Sequence, residues 1–230
     1  MFDIDVLLPD LWSILGAVPV TLAMALTIFV FATIIGSLFA LIEHRRVPVL
    51  RELVVAYKVA FKGVPMVVVI FLAYYGLPPA LQFLASLVGV KFNAHATPNW
   101  VILIVALTAC VAAFQAEIVK GALNSFDTGQ ADAAHSLGYK SSQLFRRILL
   151  PQVIVAAIPD LANSFMVIMK ALSLGFAIEV VDIFAQAQLT AALNFYYLEA
   201  FVIAVVIYMV IAYIVTHIAD RTERALRVRT

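Results

Sequence analysis

Six side chains in otherwise apolar stretches have the chemistry to handle a polar solute: Gln115, Glu117, Asp160, Asn163, Lys170 and Ser173. Such groups are costly inside a bilayer and mark solute or ion paths by default. At about 100° per residue of helix, Asn163 and Lys170 fall within about 20° of each other. Asp160 and Ser173 flank them, so the spacing predicts one polar helix face. Lys170 suits a substrate carboxylate; its other reading is to snorkel to the outer surface or to pair with an acid such as Glu179. Glu117 and Lys120 stand at i, i+3, which predicts a local ion pair, with gating or substrate contact as the alternative. Gln115 and Thr108 share a face and either line a path or bond to a neighbouring helix. His44, His95, His135 and His217 have no metal-ligand spacing. Cys110 lies in an apolar run with no second cysteine to pair with.

The elements that must hold these groups are membrane helices. The 230 residues are 64% hydrophobic and 13% charged, where soluble domains carry about a quarter charged residues. One crossing needs about 20 apolar residues, and the chain offers five such runs: 12–42, 64–77, 100–118, 152–176 and 196–217. They nearly fill residues 1–230, which reads as a single transmembrane domain. Pro78-Pro79 is expected to close the second run, with residues 80–98 an external loop. Ahead of the first run stand acids, Asp3, Asp5 and Asp10, rather than the bases expected of a cleavable leader. A net charge of +1 leaves no basic field for nucleic acid.

Short basic loops stay cytoplasmic. Arg45, Arg46, Arg51, Lys58 and Lys62 fall in one loop, and Lys120, Lys140, Arg146 and Arg147 in another. Arg221, Arg224, Arg227 and Arg229 form the tail. Only Lys91 and Lys170 of the 15 bases lie elsewhere. The predicted fold is all-α, with five transmembrane helices, the N-terminus outside and the C-terminus cytoplasmic.

The longest polar stretch, 127–151, has its own design. Asp127-Thr-Gly-Gln130 fits a capping box ahead of a short helix, 130–137. Gly138 suits the left-handed helix end. Ser141 can cap a second helix, 142–150, and Pro151 fits the first turn of the next span. The predicted outer faces hold Ala133, Ala134, Leu137, Tyr139, Leu144 and Phe145 beside Arg146 and Arg147, a surface suited to a cleft on a partner protein.

Asp132-Ala-Ala134, then Gly138, then Ile148-Leu-Leu-Pro151 resembles the cytoplasmic loop motif of ABC importer permeases, with Asp132 where the family usually has Glu. Phe61-Lys-Gly-Val-Pro65, Tyr74-Tyr-Gly-Leu-Pro78, Ala116-Glu-Ile-Val-Lys-Gly121, Pro159-Asp-Leu-Ala-Asn163 and Lys170-Ala-Leu-Ser-Leu174 resemble the polar amino-acid subfamily, which imports histidine, glutamine, arginine or cystine. The resemblance covers about residues 12–220. It implies a multi-pass permease of the bacterial inner membrane that pairs with a second permease, identical or related. It further implies ATPase subunits docking on Asp132, Ala133, Ala134, Leu137, Gly138, Phe145, Arg146 and Pro151, and an external solute-binding protein that delivers an amino acid. ATP and Mg would then sit on the partner ATPase and no cofactor on this chain. No Gly-x-x-x-x-Gly-Lys-Ser/Thr loop, serine elbow or zinc signature occurs, so an enzyme is not expected. Two other readings remain at this stage: an ion-coupled secondary transporter, which usually shows internal inverted repeats, and a non-transporting membrane scaffold.

Overall fold

The computed structural model describes residues 7–91, 93 and 96–227. The expectations placed on Asp3, Asp5, His95 and Arg229 lie outside these residues. Among the described residues the regular elements are helices: α1 Leu7–Leu15, α2 Val18–His44, α3 Leu50–Gly63, α4 Met66–Leu87, α5 Asn99–Asn124, α6 Thr128–Ser136, α7 Ser141–Leu144, α8 Leu150–Ala171, α9 Ile183–Asn194 and α10 Tyr197–Arg227. Five continuous stretches are long and apolar enough to cross a membrane: Leu7–His44, Met66–Leu87, Asn99–Asn124, Ser141–Ile178 and Tyr197–Arg227.

The central helix is α5. Its apolar window is 61% buried, against 11% for α4, so α4 lies at the periphery of the chain. Lipid is as apolar as leucine, so close backbone packing rather than water exclusion holds such helices together. On α2 the small residues Ala32, Gly36 and Ala40 recur every four positions and are all buried. Gly36 faces Ala112 and Ala116 of α5, which are fully buried. A Cβ on Gly36 would come within 2.8 Å of the Ala116 nitrogen. Glycine at this position lets the two backbones touch.

Several predicted boundaries shift, each for a local reason. Pro78 and Pro79 do not close the second span; they lie inside α4, which runs on to Leu87. Prolines are tolerated in membrane helices where neighbouring groups or water take up the freed carbonyls. The segment between the fourth and fifth predicted runs holds α9, whose Ile183, Ala185, Ala187 and Ala191 are fully buried. Twelve residues rise about 18 Å, too short to cross. Asp182 starts this helix: its Oδ1 accepts from the Ala185 N–H at 2.9 Å, and its Oδ2 accepts from the Tyr208 hydroxyl at 3.2 Å. The amphipathic α3 is separate from α4, because Val64 and Pro65 are extended.

Candidate functional site

A groove of about 360 Å³ opens between α5 and α8, lined by Val111, Phe114 and Ile118, by Asp160, Asn163, Ser164 and Val167, and by Met66 of α4. Gln115 forms its inner support. That side chain is fully buried, and its Nε2 donates to Ser164 Oγ at 3.1 Å. Of the two readings for Gln115, the structure supports bonding to a neighbouring helix. Asp160, Asn163, Val167 and Lys170 form one exposed strip along α8, as helical spacing dictates. Asp160 and Asn163 line the groove, while Lys170 stands about 10 Å further along the axis, outside the lining residues.

Lys170 makes no ion pair with Glu179 among the described residues. Glu179 instead lines a separate cavity of about 590 Å³ with Asn99 and Trp100. Ser173 departs from the predicted face. The α-helix gives way to a 3₁₀ turn over Leu172–Ile178, and Ser173 Oγ donates to the Lys170 carbonyl at 2.7 Å.

The predicted Glu117–Lys120 pair does not form. Glu117 accepts from Lys58 of α3 at 2.7 Å and lies 3.8 Å from Lys62. Lys120 reaches across to Glu43 at the end of α2, 2.5 Å away, and Glu43 also pairs with Lys58. Three helices are therefore tied by one alternating chain of charge. The side chains of Glu43 and Lys58 are 3% and 7% exposed. Burial acts to lower the Lys58 pKa, but hydrogen bonds and charge from Glu117 and Glu43 outweigh it, and the pKa lies above the ordinary lysine range. Lys58 reads in sequence as a loop charge, and Glu43 follows directly on the run 12–42. Only the folding of α3 back against α5 brings them together, and Tyr57 secures that contact by donating to the Ala109 carbonyl at 2.7 Å.

Residues 127–151 form α6, a turn and α7. Asp127 Oδ1 accepts from the Gly129 N–H at 2.8 Å, but Gln130 does not complete a capping box. Its Oε1 accepts from Gln152 Nε2 at 2.8 Å, tying α6 to α8. Gly138 takes φ +82°, as the predicted helix end requires. Asp132, Ala133 and Gly138 are exposed, and Leu137 is 79% exposed. Two predicted outer residues turn inward. Ala134 is buried, and Phe145 packs on the small core around Ala122, Leu123 and Leu149.

Pro151 stands in the first turn of α8, as its sequence position predicts, but no break precedes that helix. α7 continues through a π-helical turn, Phe145–Leu149, straight into α8. Proline lacks the N–H that Arg147 would accept and crowds that carbonyl, and a widened turn relieves both. The second helix of the loop, α7, is thereby a direct extension of the helix that carries Asp160 and Asn163.

The molecule is thus a multi-pass membrane protein whose exposed helix–turn–helix is continuous with a helix lining a polar groove. Residues 32–228 match the family described as "Binding-protein-dependent transport system inner membrane component", and the chain belongs to that family. It is 37% identical to the "Probable amino-acid permease protein YxeN" of Bacillus subtilis (strain 168), over 93% of this chain and 91% of the relative. It is 34% identical to the "Probable amino-acid ABC transporter permease protein PatM" of Vibrio harveyi, over 98% and 96%. A solved amino acid ABC transporter, crystallised with histidines, shares the fold at TM-score 0.82 and 24% identity, covering 98% of this chain and 99% of that one.

Proposed function

We propose that this chain is the permease subunit of an ATP-driven amino-acid importer. The observation that carries the reading is similarity to amino-acid permeases along nearly the whole chain, combined with an exposed loop whose second helix runs into the groove helix. In this reading the chain pairs with a second permease, identical or related, through the exposed strip of α8. Two ATPase subunits, which hold ATP and Mg, grip the paired 127–151 loops by Asp132, Ala133, Leu137, Gly138 and the flanking Arg146. Ala134, Phe145 and Pro151 shape that surface from behind. An external binding protein delivers the amino acid to the groove, where Asp160 and Asn163 meet it and Gln115 and Ser164 set the wall. Lys170 marks the outer approach, and Ser173 and Glu117 take structural roles.

The basic ends of α2, α5 and α10 lie in the cytoplasm and the N-terminus outside, in keeping with retention of Lys and Arg. Closing of the ATPase pair on nucleotide draws the two loops together. Because α7 runs without a break into α8, that motion reaches the groove as a tilt of one rigid element, giving alternating access. An ion-coupled carrier would work through groups such as Lys170 and Glu117, and Glu117 is engaged by Lys58 and Lys62.

Gly138→Arg tests the docking surface. The φ of +82° disfavours any side chain, and a long cation blocks a closely fitted cleft. The expected result is loss of ATPase co-purification with the permease still inserted in the membrane. Undiminished co-purification would remove the loop from the docking surface.

A further inference from the structure

At the end of α2 a second polar cavity, of about 360 Å³, is lined by Glu43, His44, Arg46, Arg51, Lys120 and Asn124. We infer that it binds a phosphate-type oxyanion, supplied by the headgroup of an anionic phospholipid. Placing it on the inner leaflet rests on the orientation proposed above.

Three features carry the assignment. The first is charge. Glu43 is already held by Lys58 and Lys120, and Arg51 meets only the exposed Glu52, at 3.8 Å. Arg46 has no ion pair among the described residues. Positive charge is therefore in excess around a concave space, and guanidinium groups match phosphate oxygens with paired donors.

The second is backbone conformation. Helix α2 ends with the Arg46 N–H bonded to the Glu43 carbonyl and the Val47 N–H bonded to the Ile42 carbonyl. That pattern normally has glycine at the left-handed position, yet Arg46 occupies it at φ 50°. An arginine kept where glycine folds more easily points to a use for its side chain.

The third is the adjoining surface. Val49, Leu50 and Leu53 are 72%, 47% and 61% exposed, at the start of the amphipathic helix α3, which follows the basic end of α2. An acyl chain can lie on this ledge while its headgroup enters the cavity. Free phosphate would have no use for the ledge. Basic pockets between membrane helices at the cytoplasmic side are suited to anionic headgroups. Because Lys120 and Asn124 end the helix that leads into α6, a bound headgroup would steady the root of the docking loop.

The test compares phosphatidylglycerol retained by the detergent-purified permease–ATPase complex, measured by native mass spectrometry. Three forms are compared: wild type, Arg46→Gly with Arg51→Gln, and a tail control, Arg221→Gln with Arg224→Gln. The expected loss in the first variant is about fivefold in affinity per base removed, with the tail control unchanged. Glycine suits position 46, so misfolding does not explain a loss, and ATPase co-purification is read in the same samples. Retained ATPase with lost lipid leaves the importer reading standing. Equal retention in all three forms, or equal loss in the tail control, overturns the site. Displacement of the lipid by inorganic phosphate at matched ionic strength would overturn the lipid as occupant, and no displacement supports it.

Discussion

Replacing Glu43 with alanine is expected to destabilise the folded permease by about 3–5 kcal/mol, the usual cost of stripping one partner from a buried ion pair. Glu43 is the acid against Lys58, and both side chains are almost fully enclosed. Without it, Lys58 keeps only Glu117, which is 42% exposed and compensates less. The Lys120 contact, at 36% exposure, adds little of its own. A double-mutant cycle with Lys58→Met checks the attribution. The pair of substitutions leaves no buried charge on these two positions, so it should lose clearly less than Glu43→Ala alone. Thermal unfolding of the detergent-solubilised protein measures each step. Because the Lys58 pKa is raised, its contribution is fully present below the ordinary lysine range and is lost only as pH climbs beyond it. Unfolding midpoints should therefore stay level from neutral to moderately alkaline pH.

Gly36→Val is expected to be a severely damaging change between α2 and α5. The added Cβ meets the Ala116 nitrogen at 2.8 Å, the Gln115 carbonyl carbon at 3.0 Å and the Ala112 carbonyl oxygen at 3.1 Å. All three are backbone atoms, which cannot rotate away as a side-chain tip would. The helices must separate, forfeiting the contacts of the Ala32–Gly36–Ala40 stripe, for about 3 kcal/mol or more of overpacking. Gly76→Val is the control, since nothing lies within 4 Å of a Cβ there. The expected outcome is a large fall in the melting temperature for the first variant and little change for the second. A small change in both would mean that α2 and α5 are not in backbone contact.

Hydropathy made the spans legible because a bilayer imposes length and polarity directly on the sequence. Gly138 was legible because a left-handed turn has a residue-type requirement. The loop's apolar side chains were less so: Ala134 and Phe145 read as outward, and Phe145 is covered only through tertiary contact with the end of α5. Helical spacing placed Asp160, Asn163 and Lys170 on one strip, but it could not tell which of them border a groove formed with α5. The charge chain was misread for a related reason. An i, i+3 rule sees only neighbours on one helix, whereas Glu117 and Lys120 are each drawn to a charge on another helix. Likewise α9 falls between the runs 152–176 and 196–217, too short to register as a span, although Asp182 carries a plain helix-starting signal three residues before its bonded N–H.

The central claim is that nucleotide turnover on a partner, received through the loop ahead of α8, drives amino-acid passage through this chain. The direct test is uptake into proteoliposomes holding the permease and its ATPase, with the binding protein and a labelled amino acid outside and ionophores collapsing every ion gradient. Uptake that needs internal ATP and persists with the gradients collapsed is the predicted result. Uptake that proceeds without ATP and follows an imposed ion gradient would contradict it.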